Sequence, residues 1–177
     1  DMTAHVLSKA FRTYCTEGNH NNHIGVPFTI LHAPADTQIL VLEMGMNHKG
    51  EISSLTRIGN PDMATITNIG NAHVGNLGSQ ENIFRAKLEI VEGMDAEKGL
   101  LFFPAQDTFL QKAEQIPFPK ERIRYSTRLP QETPFASLYA DEIHEGGETT
   151  CFTVHLGNEA AVVLLPMTGI HNVSNAL

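Results

Sequence analysis

At 177 residues, with 41% apolar and 18% charged side chains, the chain has the length of one domain with a sizeable core and an ordinary globular composition. A formal charge of −8 argues against a binder of nucleic-acid backbone, though not against a nucleotide held locally by glycines and a divalent cation. No apolar run reaches membrane length and no signal peptide is evident, so no membrane partner and a cytoplasmic location are expected.

Residues 1–14 read as a helix with Val6, Leu7, Ala10, Phe11 and Tyr14 along its apolar side. A polar loop follows over 17–23 and carries Asn21 and Asn22; residues 26–31 make one or two apolar helical turns. Residues 38–42 are a near-continuous apolar strand that ends in Glu43, and Ile52, Leu55 and Ile58 mark a helix after Gly50. Residues 63–67, apolar or β-branched, read as a parallel strand covered on both faces. Three glycines and three asparagines make 68–78 a loop, and the next helix has Ser79 as its N-cap and Gly93 as its stop. A strand over 99–103, a helix carrying Phe109, Leu110 and Ala113, and a short strand over 122–125 complete the alternation. Repeated β-then-α cycles imply an α/β fold with a doubly wound, mostly parallel sheet and right-handed crossovers. Residues 135–143, 149–156 and 160–165 read as strands joined by Gly146-Gly147 and Gly157-Asn158, a small antiparallel sheet near the C-terminus. Residues 173–177 look like the first turn or two of a helix. Cys15 and Cys151 fall in no motif and read as free thiols, buried or incidental.

The helix after Ser79 holds an anomaly. Glu81, Arg85, Glu89 and Glu92 form a polar stripe, while Ile83, Phe84, Leu88, Ile90 and Val91 form the apolar side, and Lys87 falls within the latter. Either Lys87 snorkels to the helix edge or it is paired, modified and functional; position alone leaves both open. Glu43 poses the same choice. It faces the crevice at the carboxyl end of a strand as a metal ligand or catalytic group, or it caps a helix or pairs with an arginine. His73 alone, one of nine histidines, says little. With Glu43 and Lys87 beside it His73 says more: carboxylate plus imidazole can hold a divalent cation, although Mg²⁺ favours oxygen and water. A lysine beside a cation makes sense once its neutral amine is carbamylated by CO2, and desolvation lowers a lysine pKa in the direction this needs.

Four segments, EMGMNHKGEI from 43, TNIGNAH from 67, AKLEI from 86 and GIHNVSNAL from 169, together resemble the central domain of the Mur ligases. These are the ATP-dependent amide-bond ligases of peptidoglycan precursor synthesis. The motifs are most similar in form to the branch that adds D-alanyl-D-alanine to UDP-N-acetylmuramoyl-tripeptide, and they cover nearly the whole chain. The resemblance implies a sheet of P-loop-NTPase type, ATP and Mg²⁺ as cofactors, and phosphoryl transfer to a peptide carboxylate. The acyl phosphate so formed is attacked by the dipeptide amine. It implies Glu43 and His73 as Mg²⁺ ligands at the γ-phosphate, and Lys87 as a carbamylated lysine orienting a second Mg²⁺. Asn68 would lie near the transferred phosphate, with Lys87, Asn68 and His73 as the catalytic set. His171, Asn172 and Asn175 would contact adenine, and Asn21 and Asn22 would lie near the muramoyl-peptide. Without the family, 171–175 would read as a helix start with Asn172 as N-cap.

The family places a Gly-rich phosphate loop just before the first helix, together with an N-terminal UDP-binding and a C-terminal amino-acid-binding domain. The expectation is therefore that residues 1–177 are a piece of a longer ligase, inactive alone, with the flanking domains as its partners. Within it, about 1–128 would be the parallel body lacking the phosphate loop, about 134–166 the antiparallel sheet, and 167–177 the start of a truncated helix. Two other readings are a superfamily relative such as a folylpolyglutamate or cyanophycin synthetase, and a nucleotide-binding module that lost catalysis. Glu43, His73 and Lys87 being all present counts against the second.

Overall fold

The computed structural model describes residues 2–117, 119, 121–129, 131–134 and 136–177. In chain order its elements are α1 (Met2–Leu7), β1 (Thr13–Cys15), α2 (Gly25–His32), β2 (Ile39–Val41), α3 (Glu51–Gly59), β3 (Met63–Thr65), α4 (Val74–Leu77) and α5 (Gln80–Leu88). Then come β4 (Leu100–Pro104), β5 (Glu121–Ser126), β6 (Leu138–Gly146), β7 (Thr149–Leu156), β8 (Glu159–Leu165) and α6 (Ile170–Ala176), with 3₁₀ turns at Glu89–Gly93 and Leu110–Gln115.

Strands β3 to β8 form one sheet in sequence order, and β1 and β2 pair in a separate parallel ladder. The pairs β3–β4, β4–β5 and β5–β6 are parallel; β6–β7 and β7–β8 are antiparallel. The expected α/β fold is therefore present. The antiparallel strands near the C-terminus extend the parallel sheet through β6 rather than forming a sheet apart. Strand β4 lies inside it, and Leu101 and Phe103 are fully buried there. Against them pack Val26 of α2, Ile52 and Leu55 of α3, and Ile83 and Phe84 of α5, the apolar stripes that the spacing marks. A second core joins Ala140, Phe152 and Leu165 of the antiparallel strands to Val173 of α6.

Several expectations need correction. The first helix ends at Leu7, and Tyr14 lies in β1; a long N-terminal helix is not formed, and Val6 is 62% exposed. Asp1 and Phe135, each the start of an expected element, lie outside the described residues. Strand β3 is not covered on both faces: Met63 is 65% exposed and Ala64 7%, the alternation of a half-buried strand. Ile58 faces out from α3, the residues after Phe109 make a 3₁₀ turn, and α4 interrupts the loop over 68–78. Ser79 is the N-cap of α5, accepting the Asn82 N–H at 3.2 Å. Glu81 does pair with Arg85 and Lys112, and Glu92 with Arg57, as a polar stripe should. Glu89 leaves that stripe. It is 6% exposed and accepts the Gly50 N–H at 2.8 and 2.9 Å and the Ser53 N–H at 3.2 Å, capping α3 from a distant helix. Gly93 does not stop α5, which ends at Leu88; it closes the 3₁₀ turn that follows, where a Cβ would stand 2.2 Å from the Thr56 carbonyl oxygen, so glycine lets that turn lie directly on α3.

Candidate active site

Ligand chemistry in open α/β sheets gathers beyond the carboxyl ends of the parallel strands. Here two pairs of the expected residues meet in such loops. Beyond β2, the Glu43 N–H donates to Thr16 Oγ1 at 3.0 Å, and Asn21 Nδ2 donates to Glu43 Oε1 at 2.8 Å. The Gly45 N–H closes the same loop onto the Asn21 carbonyl at 2.7 Å. Asn21 and Glu43 are thus held as a unit, with the second Glu43 oxygen free of hydrogen bonds among the described residues and the side chain exposed. Asn22 acts locally, within its own turn. Its Oδ1 accepts the N–H groups of Ile24 and Gly25, each at 3.0 Å, turning the chain into α2.

Beyond β3, Lys87 Nζ reaches from α5 to donate to the Asn68 carbonyl at 2.8 Å. The lysine on the apolar side is paired, and it is half-buried; burial pushes its pKa below the usual lysine range, and the Asp107 carboxylate opposes the shift. The Asn68 side chain accepts the Gly70 N–H at 3.1 Å. Asp107 belongs to none of the four motifs, so the sequence pattern misses it. It follows β4 as Glu43 follows β2, a carboxylate just past an apolar strand, and the rule that marks Glu43 also reaches it. Its Oδ2 accepts the Ile69 N–H at 2.9 Å, and its Oδ1 accepts those of Phe109 and Leu110 at 2.9 and 3.1 Å.

His73 stands in the next turn with φ of 68°, and its carbonyl starts α4; its ring is exposed and has no hydrogen bond to either pair. His171, Asn172 and Asn175 lie elsewhere, on α6, whose Val173 packs on the antiparallel strands. The N-cap of α6 is Gly169 rather than Asn172, and Asn172 Nδ2 donates back to the Thr168 carbonyl at 2.7 Å. In the stretch after Glu43, His48 and Glu51 serve the fold: Glu51 accepts the N–H groups of Asn47 and His48, which hold its carboxyl below the ordinary range.

A Mg²⁺ ion commonly takes one or two protein carboxylates and draws its other oxygens from phosphate and water. The exposed Glu43, with one oxygen bonded to Asn21 and the other free, fits that share. Among the described residues no three His, Cys, Asp or Glu side chains converge as a complete metal cage.

The chain is 41% identical over all 177 residues to UDP-N-acetylmuramoyl-tripeptide--D-alanyl-D-alanine ligase of Bacillus subtilis (strain 168), and it spans 36% of that relative's length. It superposes on MurF from Acinetobacter baumannii with a TM-score of 0.88 at 33% identity, covering 98% of this chain and 37% of that one. MurF ligase from Thermotoga maritima, solved in complex with ADP, shares the fold at a TM-score of 0.81 and 21% identity, covering 99% of this chain and 40% of that one. Residues 1–177 match the Mur ligase middle domain throughout, and the chain belongs to that family.

Proposed function

We propose that this chain is the ATP-handling middle part of a longer cytoplasmic ligase that joins D-alanyl-D-alanine to UDP-N-acetylmuramoyl-tripeptide in peptidoglycan precursor synthesis. The observation that carries the reading is the 41% identity across the whole chain to a relative of that name. Flanking domains of the same protein would hold the uridine nucleotide and the dipeptide.

The proposed reaction has two steps. The tripeptide carboxylate attacks the γ-phosphorus of ATP and ADP leaves; the dipeptide amine then attacks the acyl phosphate, forming the amide and releasing phosphate and a proton. In the first step negative charge spreads over the three equatorial phosphoryl oxygens. Mg²⁺, when bound, would supply charge neutralisation there. Glu43 would hold it, oriented by the Asn21 amide, and His73 would approach from the neighbouring loop. Lys87 and Asn68 would stand beside the transferred group. Burial favours the neutral amine of Lys87, the form that adds CO2 to give a carbamate, R–NH–COO⁻, with loss of one proton. His171, Asn172 and Asn175 would face adenine from α6, and Asn21 and Asn22 would border the muramoyl-peptide.

The test uses the full-length protein with ATP, Mg²⁺ and UDP-N-acetylmuramoyl-tripeptide. Phosphate release that requires D-alanyl-D-alanine, with a product of matching mass, is the expected result. Release that requires another amine moves the chain to a different ligase of the family, and no release with any acceptor contradicts the reading.

A further inference from the structure

We infer that Asp107 is a positioning residue that aims the Asn68 carbonyl at Lys87. The geometry lies in one peptide group. The Asn68 carbonyl and the Ile69 N–H belong to the same planar, trans unit, so they point in opposite directions. Lys87 Nζ donates to the carbonyl at 2.8 Å, and Asp107 Oδ2 accepts the N–H at 2.9 Å. The peptide is strung between the Lys87 Nζ–H and the Asp107 carboxylate, and fixing its N–H end fixes the direction of its carbonyl. An Nζ–H is there to donate in the amine and in the carbamate alike, and hydrogen bonds made in a chain polarise one another.

The anchor is itself rigid. Asp107 Oδ1 accepts two N–H groups of the turn after β4, and that turn is seated by the fully buried Leu110. The Ile69 side chain is 5% exposed, and its carbonyl accepts from Gln80 Nε2 at 3.4 Å. Asp107 thereby ties the loop after β3 to the end of β4, and a displacement of β4 reaches Lys87 through one peptide.

The inference rests on the ligase reading for its kinetic test, and a second readout is independent of it. In the full-length protein, D107N keeps an acceptor for Phe109 and Leu110 and sets an amide N–H against the Ile69 N–H. D107E keeps the charge and adds one methylene. Both are expected to lower kcat at least tenfold with KM for ATP within threefold of the parent. Q111A removes the Gln111 Nε2 bond to the Ala105 carbonyl in the same turn, made at 2.8 Å, and leaves the Ile69 tether; its kcat should stay within twofold. The Ile69 amide should exchange with solvent at least tenfold faster in D107N, whether or not the parent shows ligase turnover. A D107N enzyme within twofold of the parent overturns the inference. So does an active D107E beside an inactive D107N, which would make the charge alone matter. An equal loss in Q111A and D107N, or an unchanged Ile69 exchange rate, also overturns it.

Discussion

Replacing Lys87 by Met separates a structural lysine from a functional one. The native Nζ makes one charge-assisted bond to the Asn68 carbonyl, worth about 1.5–3 kcal/mol. Against this stands the desolvation of the half-buried ammonium, which lowers its pKa and offsets part of that gain. Met keeps the unbranched stem in the apolar side of α5, and Asn68 is exposed, so water can take the freed carbonyl. The net change in stability is therefore expected to be on the order of 1 kcal/mol, about 2–4 °C in Tm for a domain of this length and less in the longer protein. A group beside the transferred phosphoryl contributes on the order of 10²–10³ in kcat, about 2.7–4 kcal/mol of barrier. Thermal unfolding of the full-length protein and turnover under saturating ATP measure the two quantities side by side. A K87M protein that unfolds more than 10 °C lower would make the lysine a structural element. One that keeps more than a tenth of parental turnover would remove Lys87 from the chemistry.

Three other outcomes are expected. E89A leaves the Gly50 and Ser53 N–H groups without an acceptor at the start of α3, at a cost of about 3 kcal/mol, read as the midpoint shift in urea unfolding; a loss under 1 kcal/mol would refute the cap. The depressed carboxyl of Glu51 contributes stability that is fully present above the ordinary carboxylate pKa and is lost as pH falls through its folded value. E51Q should therefore flatten the acid limb of the stability–pH curve, and an unchanged limb would contradict this. A Cβ at Gly25 would stand 2.3 Å from the His20 carbonyl carbon, so G25A forces the Asn21–Asn22 loop to move. It should cost about 1–3 kcal/mol in urea and weaken muramoyl-peptide binding in the full-length protein, read by titration calorimetry; parental values in both would refute the close approach.

The fold was legible where apolar period and turn residues agreed. Strands β2, β4, β7 and β8 fall within or beside the runs that mark them, β5 contains the short strand expected over 122–125, and Ser79 is the N-cap expected of it. Misreadings came where neighbours override local pattern. Val6, Leu7 and Phe11 space like a helix face, yet residues 13–15 form a strand because β2 lies alongside to pair with them. Glu89 has the spacing of a solvent stripe, and only the approach of α3, opened by Gly93, turns it into a buried cap. The site was half legible. Lys87 stood out because an ammonium on an apolar face must find a partner, and the partner it found is a backbone carbonyl, which no side-chain pattern announces. Asp107 carried the same signal as Glu43 but followed a strand that no motif drew attention to. The grouping of Asn21 with Glu43 depends on how two loops cross beyond β1 and β2, a matter of tertiary structure alone.

The proposed phosphoryl transfer to a carboxylate at these carboxyl-edge loops would leave an isotopic trace. Its most direct test is to give the full-length protein UDP-N-acetylmuramoyl-tripeptide labelled with ¹⁸O in its terminal carboxylate, with ATP, Mg²⁺ and D-alanyl-D-alanine, and to read the released phosphate by ³¹P NMR. Passage through an acyl phosphate carries one carboxylate oxygen into each phosphate, so a single ¹⁸O isotope shift is expected. Unlabelled phosphate released alongside the amide product would contradict it.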